Sequence, residues 1–126
     1  MFLDSKIGFF VADNNILWFS ALAIGIVIVV GFMMASKHKK RERVPVSYKV
    51  VHIVGTIIGA SLALIAALMG DTHIWVNIVL ATIIVILGVM MGLGKVTKSS
   101  AKKVLYAHAS IAIICYTLFL YYIIVF

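Results

Sequence analysis

The chain is poor in charge, in proline and in cysteine. Only 12% of its 126 residues are charged while 64% are hydrophobic, whereas roughly 25% of a soluble domain is charged. The single cysteine, Cys115, excludes an intramolecular disulfide and any zinc or redox motif that needs a cysteine pair. The single proline, Pro45, falls between two apolar runs and interrupts neither. A chain this short cannot bury so much apolar surface in its own core, so we expect lipid around it.

Acidic residues are also scarce. The four carboxylates all lie outside the long apolar runs, at Asp4, Asp13, Glu42 and Asp71. A carboxylate inside the membrane is the usual device for proton-coupled transport. Its absence from the apolar runs argues against a proton antiporter and against hydrolytic chemistry within the membrane.

Four apolar runs are each near the length of about 20 residues that a helix needs to cross a bilayer. Their hydrophobicity is continuous rather than alternating, which argues against a β-barrel. The sequence therefore predicts an all-α fold, a single integral membrane four-helix bundle over residues 1–126. The predicted helices cover about residues 16–35, 47–69, 74–93 and 104–125. Helix-start residues precede the first and third helices, at Asp13-Asn14-Asn15 and Asp71-Thr72, and residues 1–12 suggest a short interfacial helix.

The basic residues predict the orientation of this bundle. Ten of the 11 Lys and Arg residues fall in the two connections around residues 37–49 and 95–103, and only Lys6 lies elsewhere. Because basic loops stay inside, we expect both connections in the cytoplasm, both termini outside, and a multi-pass protein of the plasma membrane. The net charge of +7 is then a topology signal and a contact for lipid headgroups, and it does not indicate a nucleic-acid partner.

Two histidines stand at matching depths in this scheme. His52 follows the predicted start of the second span at Ser47 by five residues, and His108 follows Lys103 by five. Both spans run in the same direction, so at 1.5 Å per residue both imidazoles should lie about 7 Å inside the boundary. An ionisable side chain in hydrocarbon is costly and marks a functional site by default. The matched pair predicts a site that uses both rings.

Haem b, one per chain, is the cofactor that this pair suits best, with His52 and His108 as its metal ligands. Zinc prefers four protein ligands, whereas haem iron takes four ligands from the porphyrin and needs only two more. Lys49, Lys102 and Lys103 lie close enough to the boundary to pair with haem propionates. His38 should be solvated in the basic loop. His73 should be interfacial, and a second haem on His73 would need a ligand from a partner.

A series of small residues follows His52 along the second span, at Gly55, Gly59, Ala63 and Ala67. Gly55 and Gly59 would let a flat cofactor approach the backbone closely. The alternative is a small-residue contact between helices, which is common in membranes, as is the Gly88 and Gly92 pair of the third span. The histidines also have a structural alternative, as hydrogen-bonding groups between helices that use neighbouring hydroxyls or carbonyls.

This pattern resembles small four-helix membrane cytochromes b, including cytochrome b561-like reductases and the haem-bearing membrane subunits of respiratory complexes. The resemblance rests on His52, His108 and their basic flanks. It implies an electron-transfer subunit of an oxidoreductase complex, with redox partner subunits and a quinone as its partners. The chain departs from the pattern because it offers one complete histidine pair, where those proteins commonly carry two. The alternatives are a haem-free anchor or assembly subunit and a small oligomeric transporter or channel.

Overall fold

The computed structural model describes residues 15–70, 73–94 and 98–125. Within these ranges all regular secondary structure is helical, and each helix is long and apolar enough to cross a membrane. The helices are α1 (Asn15–Lys39), α2 (Val46–Leu68), α3 (Ile74–Gly92) and α4 (Lys98–Val125). The predicted all-α class with four apolar helices is confirmed. The interfacial helix proposed for residues 1–12 and the helix-start residues 13–14 and 71–72 lie outside the described ranges.

Two helices are longer than the apolar runs. The first continues to Lys39, four residues beyond the expected end at Ala35, and the fourth begins at Lys98, six residues before Val104. Hydropathy marks where a chain can meet lipid, whereas helical hydrogen bonding continues into polar residues. Lys37, His38 and Lys39 fill the last turn of α1, where positive charge is favourable next to the helix dipole.

Large apolar side chains cover the outside of the bundle. Among the most exposed are Leu22 at 62%, Ile57 at 60%, Val79 at 60% and Ile124 at 70% of their surface. Soluble monomers rarely carry contiguous apolar surface of this extent. The exposed surface and the four apolar helices suggest a multi-pass membrane protein.

The helices pair into two antiparallel hairpins. Hairpin 1 is α1 with α2, and hairpin 2 is α3 with α4. The bundle has a basic end, where α1 and α3 finish and α2 and α4 begin, and an opposite end that we call the closed end. α1 also contacts α4, and α2 also contacts α3, so that the hairpins face each other across a common seam.

Within each hairpin a side-chain hydrogen bond joins the two helices, and the two bonds are equivalent. In hairpin 1 the buried Ser20 hydroxyl donates to the carbonyl of Gly59 at 2.7 Å. In hairpin 2 the buried Asn77 amide donates to the carbonyl of Cys115 at 2.8 Å. Asn77 lies 57 residues after Ser20, and Cys115 lies 56 residues after Gly59. Ser20 and Asn77 are the buried polar side chains of the described residues, so the chain uses the same device twice.

The hydrophobic core lies at the closed end. It joins both hairpins through one cluster: Ile16, Leu17, Ala21, Ala66, Ala67, Ile74, Phe119 and Ile123. Tyr116 adds a hydrogen bond between the hairpins, because its hydroxyl donates to the carbonyl of Ala21 at 3.0 Å. Towards the basic end the only other buried apolar side chain of the described residues is Val27. The hairpins are thus joined tightly at the closed end and loosely at the basic end, where the histidines lie.

Candidate functional site

His52 and His108 occupy equivalent positions in the two hairpins. The Nδ1 nitrogen of His52, on α2, lies 3.0 Å from the carbonyl oxygen of Val27 on α1. The Nδ1 nitrogen of His108, on α4, lies 2.9 Å from the carbonyl oxygen of Ile84 on α3. Ile84 follows Val27 by 57 residues, and His108 follows His52 by 56. Each ring is therefore tied back to the first helix of its own hairpin.

These hydrogen bonds determine the tautomer of both rings. A carbonyl oxygen can only accept, so Nδ1 carries the proton in His52 and in His108. The neutral ring then has its lone pair on Nε2, on the side away from the helix that Nδ1 contacts. No hydrogen-bond partner for either Nε2 is found among the described residues. An imidazole whose other nitrogen donates to a backbone carbonyl has the arrangement that metal-binding histidines usually adopt.

A glycine lies beside each ring. A methyl group placed on Gly31 would lie 3.0 Å from Cε1 of His52, and one on Gly88 would lie 3.1 Å from Cε1 of His108. Both separations are shorter than the 3.5–4.0 Å or so of a favourable carbon contact. The absence of a side chain at these two positions therefore lets each ring rest against the backbone of the helix that accepts its hydrogen bond.

The two rings face each other across the seam between the hairpins. Their centroids are 6.4 Å apart and their planes are tilted by 50°. Metal–imidazole bonds are about 2.0 Å long, and the ring centroid lies about 1 Å beyond the nitrogen. Two imidazoles on opposite sides of one metal ion are therefore expected to have centroids roughly 6 Å apart. The observed centroid separation agrees with that value.

An apolar cavity adjoins this part of the seam. It has a volume of about 490 Å³, within the range of small-molecule sites of about 300–1,000 Å³. It extends from Gly25 and Tyr116 towards Val30, the neighbour of Gly31. Its lining carries no charged group and comprises Leu22, Gly25, Ile26, Ile28, Val29, Val30 and Tyr116. Six of the seven lining residues belong to α1, and neither histidine lines the cavity.

The structure places Gly55 and Gly59 against α1. A side chain at Gly55 would meet the side chain of Val27 at 2.6 Å, and a side chain at Gly59 would overlap that of Ile24. These glycines therefore form the close helix contact within hairpin 1, which is the structural alternative for the small-residue series. A contact of either glycine with a cofactor stays a prediction.

The three lysines predicted to meet propionates are exposed at the basic end. Lys49 lies in the first turn of α2, and Lys102 and Lys103 lie within α4. The ammonium group of Lys102 is 5.8 Å from the ring centroid of Tyr106, an arrangement of the cation–π type. All three are accessible to carboxylates at this end of the seam.

The other two histidines are separate from the pair. His38 is exposed in the last turn of α1, and His73 is exposed just before α3 at the closed end. The ring of His73 lies 5.2 Å from that of Tyr122. Within the part of the chain that the structure describes, no three His, Cys, Asp or Glu side chains converge on one point. A metal centre built from the described residues alone would therefore have to be one that two protein ligands can hold.

The internal repeat is the feature that hydropathy reading missed. At an offset of 57 residues the sequence repeats several residues: Trp18 recurs as Trp75, Gly31 as Gly88, and Met33-Met34 as Met90-Met91. Comparing the chain with itself at that offset would have identified Gly31 as the counterpart of Gly88, and Val27 as the counterpart of Ile84. The carbonyl groups themselves leave no sequence signal, because every residue has one.

No protein-family model matches this chain, and no significant similarity to a curated protein or to a solved structure is found.

Proposed function

We propose that this chain is an integral membrane electron-transfer protein that holds one haem b between His52 and His108. The observation that carries the proposal is the geometry of the two rings. Each is oriented by a hydrogen bond through Nδ1, each leaves Nε2 for a metal, and they lie 6.4 Å apart across the seam. Haem needs only two protein ligands, which is the number that this seam offers.

The groups of the chain have distinct tasks in this proposal. The carbonyl groups of Val27 and Ile84 hold the tautomer and the direction of the two rings. Gly31 and Gly88 leave room for the rings to sit there. When bound, haem supplies one-electron exchange at its iron, and the apolar lining and nearby charge tune the potential. Lys49, Lys102 and Lys103 would hold the propionates at the basic end.

The membrane topology is part of the proposal. The positive-inside rule puts the basic end in the cytoplasm and the closed end outside, with both termini outside. The candidate centre then lies nearer to the cytoplasmic face of the plasma membrane. One centre near one face does not reach across the bilayer, so electrons need a partner redox subunit, and a quinone is the membrane-soluble candidate for the other exchange. This role resembles that of the haem-bearing membrane subunits of respiratory complexes.

A haem-free anchor or assembly subunit is the second candidate. It is favoured by the same two hydrogen bonds, because each histidine joins the two helices of its hairpin even without a cofactor. The two candidates differ in whether the Nε2 nitrogens are needed as metal ligands. An anchor has no use for that nitrogen, whereas a cytochrome needs it in both rings.

The test is the absorption spectrum of the full chain purified in mild detergent. A cytochrome should give a Soret band and a sharp α band on reduction. His52→Ala and His108→Ala should each abolish stoichiometric low-spin haem, because bis-imidazole ligation needs both rings. His38→Ala and His73→Ala are matched controls that should leave the spectrum nearly unchanged. A stable, colourless protein favours the anchor, and full low-spin haem in His52→Ala contradicts the proposed ligation.

A further inference from the structure

We infer that the site between the hairpins has approximate two-fold symmetry, so that haem b binds in either of its two facial orientations. This inference rests on the proposed function and adds to it how the chain recognises the cofactor. The symmetry arises because the chain is built from two equivalent hairpins, each of which contributes one histidine.

The equivalence covers the hydrogen bond of each ring and the glycine beside it. In hairpin 1, His52 donates to Val27 and rests against Gly31. In hairpin 2, His108 donates to Ile84 and rests against Gly88. The hydrogen-bond lengths are 3.0 and 2.9 Å, and the distances from a methyl group on the glycine to Cε1 would be 3.0 and 3.1 Å. Neither ring is distinguished from the other by its hydrogen bond or by its glycine.

The arrangement of the helices fixes the direction of the symmetry axis. α1 is antiparallel to both α2 and α4, and α3 is antiparallel to both α4 and α2. Exchanging α1 with α3 and α2 with α4 therefore preserves every helix direction and every neighbour. An approximate two-fold axis must run parallel to the helices and pass between His52 and His108. Both hairpins present their basic residues at the same end of that axis.

Haem b lacks this symmetry. Its two propionates are related by the line that passes between them through the iron, but its vinyl and methyl groups are not. A half-turn about that line exchanges the two faces of the ring and leaves the propionates at the same edge. If the propionates point to the lysines of the basic end, this line coincides with the axis of the protein. The two facial orientations then differ only in which face meets His52 and which meets His108.

The differences between the hairpins set the bias between the two orientations. The residues that accept the two hydrogen bonds differ by one aliphatic exchange, Val27 for Ile84. Larger differences lie one turn beyond the rings, where Gly55 and Thr56 are opposite to Ile111 and Ala112 in the repeat. The Thr56 hydroxyl donates to the carbonyl of His52, so the remaining differences at these positions are differences of apolar volume. We therefore expect both orientations to be populated, in unequal amounts.

Proton NMR of the oxidised, haem-loaded full chain tests this inference. Natural haem b should give two resolved sets of hyperfine-shifted haem methyl signals. A haem with a symmetric arrangement of vinyl and methyl groups should give one set, which separates orientation from other heterogeneity. One set with natural haem overturns the inference while leaving the proposed function intact. Failure to bind haem at all overturns the proposed function and the inference with it.

A matched pair of variants sharpens the test. Gly31→Ala crowds His52 and Gly88→Ala crowds His108, by nearly equal amounts. If the site is two-fold symmetric, the first variant acts on one orientation as the second acts on the other. The ratio of the two sets of signals should therefore shift in opposite directions. Shifts in the same direction would overturn the symmetry, and Gly92→Ala, where an added methyl group contacts nothing within 4 Å, should leave the ratio unchanged.

Discussion

Gly88→Val should weaken haem binding through the position of His108. The β-carbon alone would lie 3.1 Å from Cε1 of the ring, and the two methyl groups of valine extend beyond it. To regain contacts of about 3.5–4.0 Å the ring must move by roughly 1 Å. A shift of that size breaks the 2.9 Å hydrogen bond to Ile84 and exceeds the tolerance of metal–ligand distances, about 0.2 Å.

The expected loss can be stated as a binding constant. Disturbing the groups that orient a metal-binding histidine costs about 10- to 100-fold in affinity, or about 1.4–2.8 kcal/mol. Titration of the haem-free protein in detergent with haem, followed at the Soret band, measures it. Gly92→Val is the control, since it introduces the same side chain four residues later on α3, where nothing lies within 4 Å. Wild-type affinity and an unchanged low-spin spectrum in Gly88→Val would refute the reasoning.

Four further predictions concern the topology, the packing at Gly59, the hydrogen bond of Ser20 and the partners. A C-terminal reporter that works only outside the cytoplasm should be active, because the positive-inside rule predicts the basic end in the cytoplasm, and activity of a cytoplasm-only reporter would overturn the topology. Gly59→Leu should destabilise hairpin 1 by about 1–3 kcal/mol through overlap with Ile24, measured by thermal unfolding in detergent, and an unchanged midpoint would contradict the packing role. Ser20→Ala should lower the free energy of unfolding by about 0.6–1.7 kcal/mol and leave the haem spectrum unchanged. A shifted spectrum would mean that the hydrogen bond from Ser20 to Gly59 also positions the site. Purification in mild detergent should recover other chains together with this one, and a catalytically complete monomer would count against a partner.

The four helices and the meeting of two histidines could be predicted because they depend on coarse patterns. Apolar length gives the helices, and counting residues from Ser47 and Lys103 gives equal depth to His52 and His108, whose rings the structure brings within 6.4 Å. The ends of the helices were harder to predict from hydropathy, because residues 37–39 and 98–103 are largely polar and are still helical.

The direction in which a helix face points could not be predicted from spacing alone. Gly55 and Gly59 share a face with His52 by helical geometry, and that face could meet a cofactor or a helix. The structure turns it towards Val27 and Ile24. The decisive neighbours of the rings are instead Gly31 and Gly88, which lie on other helices. In the sequence, the internal repeat pairs these two glycines with each other, as it pairs the two histidines.

If the chain holds the proposed haem, the location of the core at the closed end separates the assembly of the helices from the loading of that cofactor. For a flat cofactor to enter, only the basic ends of the helices would need to separate. The core contacts at the closed end, which include Leu17 and Ile123, would stay in place. The bundle without haem would then be a maturation intermediate whose helices are already packed. Haem delivery would be a late step that a cell could time, withhold or reverse without refolding the polypeptide.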